Sequence, residues 1–413
     1  MSKTLSLRLA VIGAGPVGLA LALLAARRFH QARITVYDAL PAEHDVARDP
    51  RTLALSLGSV QALQQLGVWP QIAPHAAPIA AVHVSQQQPG LAPLFELFGR
   101  SSVHEPEVLI RAADAGVPQL GAVASYGSIV APLKAAWLVA CAREPQRLQA
   151  RLGGKVTALT PSAQGAEVVV ADEATAYDLV VVAEGGVFAD QARKSLAHDY
   201  RQTAWVGTLE LHGGEPGWAY ERFTAQGPVA LLPLPALGAA GASTGLQRAA
   251  LVWCVAQADD PVPELNDAQR LAVLQALLPA QVGRLRAISP LKSFALGLNA
   301  ERSLVRGRTV RIGNAAQTLH PVAGQGLNLG LRDAHELLRR LAHEPDVDRA
   351  LAKVEWQRAP DRWLTIASTD FLARSFTWPL PGLATLRGAG LAVLQHLPGL
   401  KSALVRHMMF GQR

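Results

Sequence analysis

The sequence predicts an α/β protein with a Rossmann-like dinucleotide-binding domain, an inserted domain built mainly of antiparallel β-sheet, and a helical C-terminal region. Three observations carry this prediction. A glycine-rich turn near the N-terminus separates a strand-like from a helix-like segment, a second glycine-rich segment covers residues 313–330, and residues 205–255 alternate strand-like pieces with turns. Strand–helix–strand alternation is typical of a parallel sheet, and strands joined by short turns are typical of an antiparallel one.

The bulk composition narrows the classes of protein to consider. With 413 residues, 50% of them hydrophobic and 17% charged, the chain suits two domains or one domain with a large insertion. Cys141 and Cys254 lie outside any Cys-x-x-Cys motif, which excludes a disulfide framework and favours a reducing compartment. The 12 histidines show no metal-ligand spacing, so no metal is expected.

A βαβ unit is predicted at the N-terminus, with strands over residues 7–12 and 33–38 and a helix over residues 17–29. Residues 9–26 are apolar for long enough to resemble a membrane span. The glycines and the proline in the first half of this stretch favour instead a buried strand that turns into a buried helix. Since no signal peptide is apparent, we expect a cytoplasmic protein.

The turn inside this unit reads Gly13-Ala-Gly15-Pro16-Val-Gly18. The three glycines permit a tight turn, close approach of a pyrophosphate to the backbone, and close packing of the helix on the strand. The N-terminus of the helix then faces the phosphates. Asp38 ends the second strand, where a carboxylate can accept hydrogen bonds from ribose hydroxyl groups. The motif alone does not separate FAD from NAD.

Arg51 stands in an otherwise apolar stretch before a helix predicted over residues 56–66. Its guanidinium can reach the pyrophosphate of a cofactor at this place in the chain. The alternative is a surface ion pair with Asp49 or Asp45. The residue pattern leaves both open.

Periodicity and Gly and Pro breaks predict the remaining elements. They are strands over residues 167–170, 179–183 and 309–312, and helices over residues 129–143, 267–278 and 327–341. The strand at 179–183 leads into Glu184-Gly185, and the strand at 309–312 leads into the second glycine-rich segment.

That segment begins with Gly313-Asn314, where the backbone can pass a phosphate or ribitol and the amide can bond to it. Backbone N–H groups around Gly324 and Gly326, with the dipole of the following helix, can stabilise negative charge on a reduced flavin ring. The alternative is a glycine loop before an ordinary capped helix. His320 is a candidate general base, although a histidine before a proline in such a loop is more often positional.

The net charge of +7 is concentrated near the C-terminus, where residues 371–413 contain no Asp or Glu and five basic residues. No nucleic-acid-binding module is recognisable, so no nucleic acid is expected as a partner. Two explanations of the basic tail remain open. One is an amphipathic tail near an anionic membrane surface, and the other is a terminal helix packed on the body with solvated arginines.

On these residues the chain resembles the ubiquinone-biosynthesis hydroxylases, a branch of the class A FAD-dependent monooxygenases similar to p-hydroxybenzoate hydroxylase. The resemblance covers nearly the whole chain and is greatest to the members that hydroxylate 2-octaprenyl-6-methoxyphenol. The segments that carry it are Arg51 with residues 55–59, residues 66–69, 221–224, 227–228 and 231–233, Gly313-Asn-Ala-Ala-Gln-Thr-Leu-His-Pro321, and residues 406–411. Glu184 and Asn314 replace residues that are usually Asp, and both can still hydrogen-bond a ribitol.

The resemblance implies an FAD-binding domain of the p-hydroxybenzoate hydroxylase type, interrupted by a substrate domain. The implied ranges are 1–75, 111–200 and 301–345 for the FAD-binding domain, 76–110 and 201–300 for the substrate domain, and 346–413 for the helical region. The implied FAD contacts are Gly13, Gly15, Pro16, Gly18, Asp38, Arg51, Glu184, Gly185, Gly313, Asn314, Pro321, Gly324, Gly326, Leu327 and Asn328. The residues implied to line the substrate pocket are Arg222, Phe223, Leu232 and Pro233.

The resemblance also implies the reaction. FAD, reduced by NAD(P)H directly or by a redox partner, combines with O₂ to give a flavin C4a-hydroperoxide, which hydroxylates a polyprenyl phenol. Such an apolar substrate implies contact with the cytoplasmic face of a membrane or with other ubiquinone-biosynthesis proteins. The alternatives are a sister hydroxylase acting at another ring position, a flavin reductase without oxygen insertion, and a non-catalytic assembly factor.

Overall fold

The computed structural model describes residues 6–87, 105–162, 164–185, 192–236, 245–375 and 383–411. All of the candidate site residues lie within these ranges. Residues 88–104 and 237–244 of the predicted substrate domain lie outside the described residues, and the domain limits as a whole remain predictions.

The elements are numbered here in chain order. The strands are β1 Arg8–Ile12, β2 Arg33–Asp38, β3 Thr52–Ser56, β4 Ala76–Ile79, β5 Ala81–Gln86, β6 Glu107–Arg111, β7 Gly121–Ser125, β8 Leu148–Leu152, β9 Val156–Ser162, β10 Gly165–Val170, β11 Glu173–Tyr177, β12 Leu179–Val182, β13 Leu196–His212, β14 Trp218–Phe223, β15 Pro228–Leu234, β16 Leu246–Ala256, β17 Arg284–Ile288, β18 Lys292–Ala300, β19 Val305–Arg306, β20 Thr309–Arg311 and β21 Gln317–Thr318. The α-helices are α1 Pro16–Arg28, α2 Leu57–Gln65, α3 Trp69–Ile72, α4 Tyr126–Arg143, α5 Asp267–Leu277, α6 Gln325–His343, α7 Val347–Ser375, α8 Leu383–His396 and α9 Pro398–Phe410.

A six-stranded sheet in the order β19-β20-β12-β1-β2-β8 is the centre of the dinucleotide-binding part. Its strands run parallel except for β19, which pairs antiparallel with β20 at one edge. Alternate residues of β1 enter different cores. Leu9 and Val11 pack with helices α1, α4 and α6, whereas Ala10 and Ile12 pack with the small sheet β9–β11. Both faces are therefore covered, as a parallel sheet requires, and the predicted α/β class is confirmed.

The second large sheet follows the order β21-β18-β13-β16-β15-β14-β5-β6, with β17 also paired to β13. Its pairings are antiparallel except for β14 with β5. It combines strands from residues 81–111 with strands from residues 196–318, which lie far apart in the chain. One face packs against α5 around Trp253, Leu251 and Leu274. The expected antiparallel sheet is thus present.

The C-terminal region is helical, as expected, and packs on both sheets. Helix α7 contributes Leu351 and Val354 to the core of the dinucleotide-binding part. Helix α9 contributes Val405 and Met409 to a core that also contains Val108 of β6. The guanidinium of Arg332 in α6 donates a hydrogen bond to the carbonyl oxygen of Met408 at 2.8 Å. Among the residues that the structure describes, no helix is long and apolar enough to span a membrane.

Candidate active site

The N-terminal glycine turn is held by backbone contacts that leave no room for a side chain at Gly13 or Gly18. Gly13 has φ +105°, and a Cβ there would lie 2.8 Å from the backbone nitrogen of Glu184. A Cβ on Gly18 would lie 2.0 Å from the carbonyl oxygen of Gly13. Helix α1 begins at Pro16 after Gly15, and no side chain caps it. Its N-terminus therefore remains available to an anionic group.

Asp38 braces this turn from the end of β2. One carboxylate oxygen accepts the backbone N–H of Ala14 at 2.6 Å, and the other accepts that of Leu40 at 2.8 Å. Each oxygen keeps a further lone pair for a ligand hydroxyl group. Glu184 follows β12 beside the same turn. Desolvation by neighbouring protein atoms and the negative charge of Asp38 raise the pKa of Glu184.

The late segment packs against the N-terminal turn. Gly313 has φ +58°, and a Cβ on Gly330 would lie 2.8 Å from both the Cα of Gly313 and a methyl group of Val17. Gly330 therefore lets α6 approach α1 closely, so that the two helices lie side by side in one core. Two segments three hundred residues apart are thereby brought together.

Asn314 lies between two of the predicted glycines. A Cβ on Gly185 would lie 3.4 Å from the Asn314 Cβ, and one on Gly326 would lie 3.6 Å from its Oδ1. Sequence reasoning missed Lys194, whose Nζ donates to the backbone carbonyl of Asn314 at 3.1 Å. Burial lowers the pKa of Lys194 to about 8. A lysine with no surrounding motif gives no signal in a single sequence.

Helix α6 begins at Gln325, two residues before the start predicted at Leu327. The alternative of an ordinary helix with a side-chain cap does not hold. The N-cap of α6 is Gly324 in the left-handed conformation with φ +57°, and no side chain caps it. Leu327 lies in its first turn, and the exposed Pro321 lies just before the short helical turn that precedes it. The structure therefore places a second uncapped helix N-terminus beside Asn314.

The side chain of Asn328, one of the predicted FAD-contacting residues, is engaged in hydrogen bonds within the protein. Oδ1 accepts from the Ser56 N–H at 2.8 Å and from the Ser59 hydroxyl at 2.7 Å. Nδ2 donates to the carbonyl oxygens of Ala54 at 3.1 Å and Gly324 at 3.0 Å. Because an amide has two donor hydrogens and two acceptor lone pairs, none is left for a ligand. Asn328 instead fixes β3 and α2 to α6.

Arg51 combines features of both alternatives that the sequence left open. Its guanidinium forms an ion pair with Asp49, with nitrogen–oxygen distances of 2.7 and 3.0 Å. Its Cζ also lies 4.2 Å from the ring centroid of Tyr126. The Tyr126 hydroxyl lies 3.4 Å from where a Cβ on Gly15 would be. Arg51 thus lies close to the glycine turn, and its contact with a pyrophosphate remains a prediction.

His320 does not have the geometry of a general base. Its side chain is 2% exposed, and burial lowers its pKa to about 4. Nδ1 accepts the backbone N–H of Val322 at 3.2 Å, so Nε2 carries the proton and donates to Gln202 Oε1 at 3.1 Å. Both ring nitrogens are engaged within the protein. His320 therefore holds the late loop against the antiparallel sheet, which is the positional alternative.

The four predicted pocket residues divide between two faces of the antiparallel sheet. Directly opposed residues share a face, and neighbours along a strand alternate. Arg222 pairs with Val229 and Pro233 pairs with Ala249, on the face that packs against α5. The guanidinium of Arg222 is buried there, bonded to the Leu277 carbonyl at 3.0 Å and to Glu105 at 2.6 Å. Arg222 and Pro233 therefore lie on the face that α5 covers, and their place in a substrate pocket stays a prediction.

Phe223 and Leu232 belong to the opposite face, named here the loop-facing surface of the sheet. Phe223 packs against Val322 of the late loop, and Gln202 on the same surface bonds to His320. The strand pairings place further residues on this surface, namely Ala204, Val206, Glu221, Ala230, Val252, Cys254 and Leu296. Nearly all are apolar and several are small. This surface can form the wall of a pocket for an aromatic ring.

These features fit FAD. Two uncapped helix N-termini converge, one beside the Asp38 carboxylate and one beside the Asn314 amide. Glycines leave the backbone open along both, and a Cβ on Gly15 or Gly326 would meet only ordinary contacts within the protein. A diphosphate suits the first terminus and a ring that becomes anionic suits the second.

Comparisons with known proteins show the family and the fold. A model of the FAD binding domain family matches residues 6–366. The ubiquinone hydroxylase UbiL of Rhodospirillum rubrum is 30% identical, over 97% of this chain and 88% of that protein. The 3-demethoxyubiquinol 3-hydroxylase of Escherichia coli is 27% identical, over 97% and 98%. The structure of HpxO from Klebsiella pneumoniae, complexed with FAD and uric acid, superposes with a TM-score of 0.67 at 17% identity, over 98% and 96% of the two chains.

The family match and the likeness to the ubiquinone hydroxylase identify an FAD-dependent aromatic-ring monooxygenase, and its fold is shared with HpxO. FAD is its cofactor, and its reductant is of the NAD(P)H type that is usual in the class. The chain belongs to the FAD binding domain family and, within it, to the hydroxylases of ubiquinone biosynthesis.

Proposed function

We propose that the enzyme hydroxylates a 2-polyprenyl-6-methoxyphenol para to the phenol oxygen during ubiquinone biosynthesis. The observation that carries this proposal is the likeness to a ubiquinone hydroxylase along nearly the whole length of both chains. One atom of O₂ replaces a ring hydrogen as a hydroxyl group, and the other leaves as water. NAD(P)H and a proton supply the two reducing equivalents that balance the reaction.

The chain's own residues supply binding, orientation and exclusion of water. Bound FAD supplies the activation of O₂. The uncapped N-termini of α1 and α6 hold the charged parts of the cofactor, while Asp38 accepts hydrogen bonds from the ribose. The loop-facing surface, with Phe223, Ala230 and Cys254, holds the phenol ring and keeps water away from it.

Ala230→Phe tests the position of the phenol. Ala230 lies on the loop-facing surface, so the added ring should raise KM for the phenol by about ten-fold or more while FAD content stays constant. Ala236→Phe is the control, since Ala236 is exposed just beyond the end of β15. Equal kinetics of the two variants with a short-chain prenyl methoxyphenol would remove this surface from the site.

The reaction itself is tested in a strain that lacks the protein. We expect the prenyl methoxyphenol to accumulate, and the purified enzyme to consume O₂ in proportion to para-hydroxylated product. Substrate-dependent NAD(P)H oxidation that yields only hydrogen peroxide and no hydroxylated ring would overturn the proposal.

A sister reaction is the second candidate. The relative from Escherichia coli that matches 97% of this chain is a 3-demethoxyubiquinol 3-hydroxylase. If this chain acted at that ring position, the mutant strain would accumulate a later, already para-oxidised intermediate. Mass spectrometry of the lipid extract distinguishes the two.

A further inference from the structure

The turn between α8 and α9 presents four large apolar side chains to solvent. Their exposed fractions are 50% for Val393, 50% for Leu397, 53% for Leu400 and 37% for Leu404. These four residues, named here the apolar corner, follow one another at intervals of four, three and four residues. Val393 lies near the end of α8, Leu397 is the non-helical residue between the two helices, and Leu400 and Leu404 lie about one turn apart on α9.

The exposure of the apolar corner is not a sign of poorly packed helices. The opposite sides of α8 and α9 place Leu394, Val405 and Met409 in a core shared with the two sheets. A Cβ on Gly58 would lie 2.8 Å from the Met409 carbonyl, so α9 is seated directly on α2. The corner is thus a fixed feature that faces away from the body.

The Lys, Arg, Asp and Glu residues of helices α8 and α9 themselves carry charge of one sign. Residues 383–411 contain no Asp or Glu, whereas Lys401 and the exposed Arg406 belong to the same helix as Leu400 and Leu404. Basic side chains beside apolar ones favour the surface of an anionic bilayer, where the apolar groups enter the interface and the cations pair with headgroups. A protein partner would need an acidic rim to match.

Helix α7 offers an instructive contrast. It also exposes large apolar side chains, Trp356, Leu364 and Phe371, with fractions of 81%, 51% and 49%. The same helix carries Glu355 and Asp370 beside them. Its charge is therefore mixed, and an anionic surface would repel part of it.

We propose that the apolar corner of α8 and α9 docks the enzyme on the surface of an anionic phospholipid bilayer. The proposal rests on the proposed function only for the reason to dock, namely that a polyprenyl phenol resides in the bilayer. Leu232 of the loop-facing surface packs against the same core as α9. The helices that carry the apolar corner and the antiparallel sheet therefore share one apolar core.

The test uses the full-length enzyme loaded with FAD and sedimented with vesicles. We expect binding to phosphatidylcholine vesicles that contain phosphatidylglycerol and little binding to phosphatidylcholine alone. Leu397→Glu combined with Leu400→Glu should weaken binding by about ten-fold or more. The matched control is Leu364→Glu on α7, with almost the same exposure, which should bind like the wild type. Lys401→Glu should weaken binding at low salt without changing any apolar group.

Both leucine variants should retain FAD absorbance and activity on a water-soluble phenol, since neither touches the cradle. Undiminished vesicle binding by the double variant, or equal loss in the Leu364→Glu control, would overturn the proposal. A change in oligomeric state without a change in vesicle binding would assign the corner to a second copy of the chain. If the enzyme binds vesicles but does not hydroxylate the prenyl phenol, the proposed reaction is wrong while the proposed membrane contact stands.

Discussion

The N-terminal glycine turn and the late glycine segment each lead from a strand into an uncapped helix, but different neighbours hold them. In the first, several contacts are local, such as that between Gly18 and the Gly13 carbonyl five residues earlier, and Gly13 also packs on the backbone of Glu184. In the second, the contacts are distant in sequence. Asn328 bonds to residues 54–59, His320 bonds to Gln202, and Gly330 packs on Val17 of the first helix.

This difference shows that similar local geometry can be stabilised in two ways. The first turn is specified by a short motif, so it can be recognised wherever it occurs. The late segment depends on the antiparallel sheet and on α2 for its position. Substitutions in the sheet or in α2 that displace this segment should therefore weaken FAD binding. Substitutions in the first turn should therefore disturb the turn directly, whereas substitutions in the late segment should act through its distant partners. The size of the effect on stability and FAD binding should also differ.

The largest effect is expected for Gly18→Ala. The new Cβ would lie 2.0 Å from a backbone oxygen, and no side-chain rotation can relieve that clash. We expect destabilisation by more than about 3 kcal/mol and loss of bound FAD, measured by urea unfolding and by flavin absorbance. Gly390→Ala, in helix α8 with nothing within 4 Å of its Cβ position, should instead be neutral or slightly stabilising. A yellow, stable Gly18→Ala protein would refute the tight packing of this turn.

Asn328→Ala should come next, because it removes the three side-chain hydrogen bonds by which Asn328 joins α6 to β3 and α2. Buried partners left without hydrogen bonds lower the free energy of unfolding by about 2 to 3 kcal/mol. The loss should be present without cofactor, since Asn328 acts on the protein itself. If the apoprotein kept wild-type stability and only FAD affinity fell, Asn328 would be a direct ligand after all.

A smaller, pH-dependent effect is expected from His320. Its pKa of about 4 in the folded state lies below the ordinary 6.5, so the unfolded chain binds the extra proton first as pH falls. The stability is complete above pH 6.5 and is lost as the pH falls towards 4, by about 2 kcal/mol between pH 7 and 5. His320→Gln should flatten this part of the unfolding profile, whereas His75→Gln on the exposed surface should leave it unchanged.

The smallest change in stability is expected for Arg51→Ala, below about 1 kcal/mol, because its ion pair with Asp49 is exposed. FAD affinity should nevertheless fall by about ten-fold if the guanidinium reaches the pyrophosphate. Arg48→Ala is the matched control, since Arg48 pairs with Asp45 at 2.9 Å but is almost fully exposed. If the two variants bound FAD with equal affinity, the contact of Arg51 with the pyrophosphate would be refuted and only its ion pair with Asp49 would remain.

Much of the fold was predictable from local pattern. The βαβ unit, the glycine turn with Asp38, the antiparallel sheet and the helical end all follow from periodicity and from glycine positions. The late segment could be located, and its helix was predicted to start two residues later than it does. The individual strands, turns and helices depend on neighbours within a few residues, and a single sequence contains that information, although the pairing of distant strands does not follow from it.

Only the tertiary structure decided which side of strands β14 and β15 faces the loop of the late glycine segment. Alternation along β14 and β15 was predictable, but only packing against α5 assigns Arg222 and Pro233 to one face and Phe223 and Leu232 to the other. The roles of Asn328 and His320 were likewise decided by partners more than one hundred residues away. The sequence determines which donors and acceptors a side chain has. How many of them stay free for a ligand depends on the distant groups that the fold brings next to that side chain.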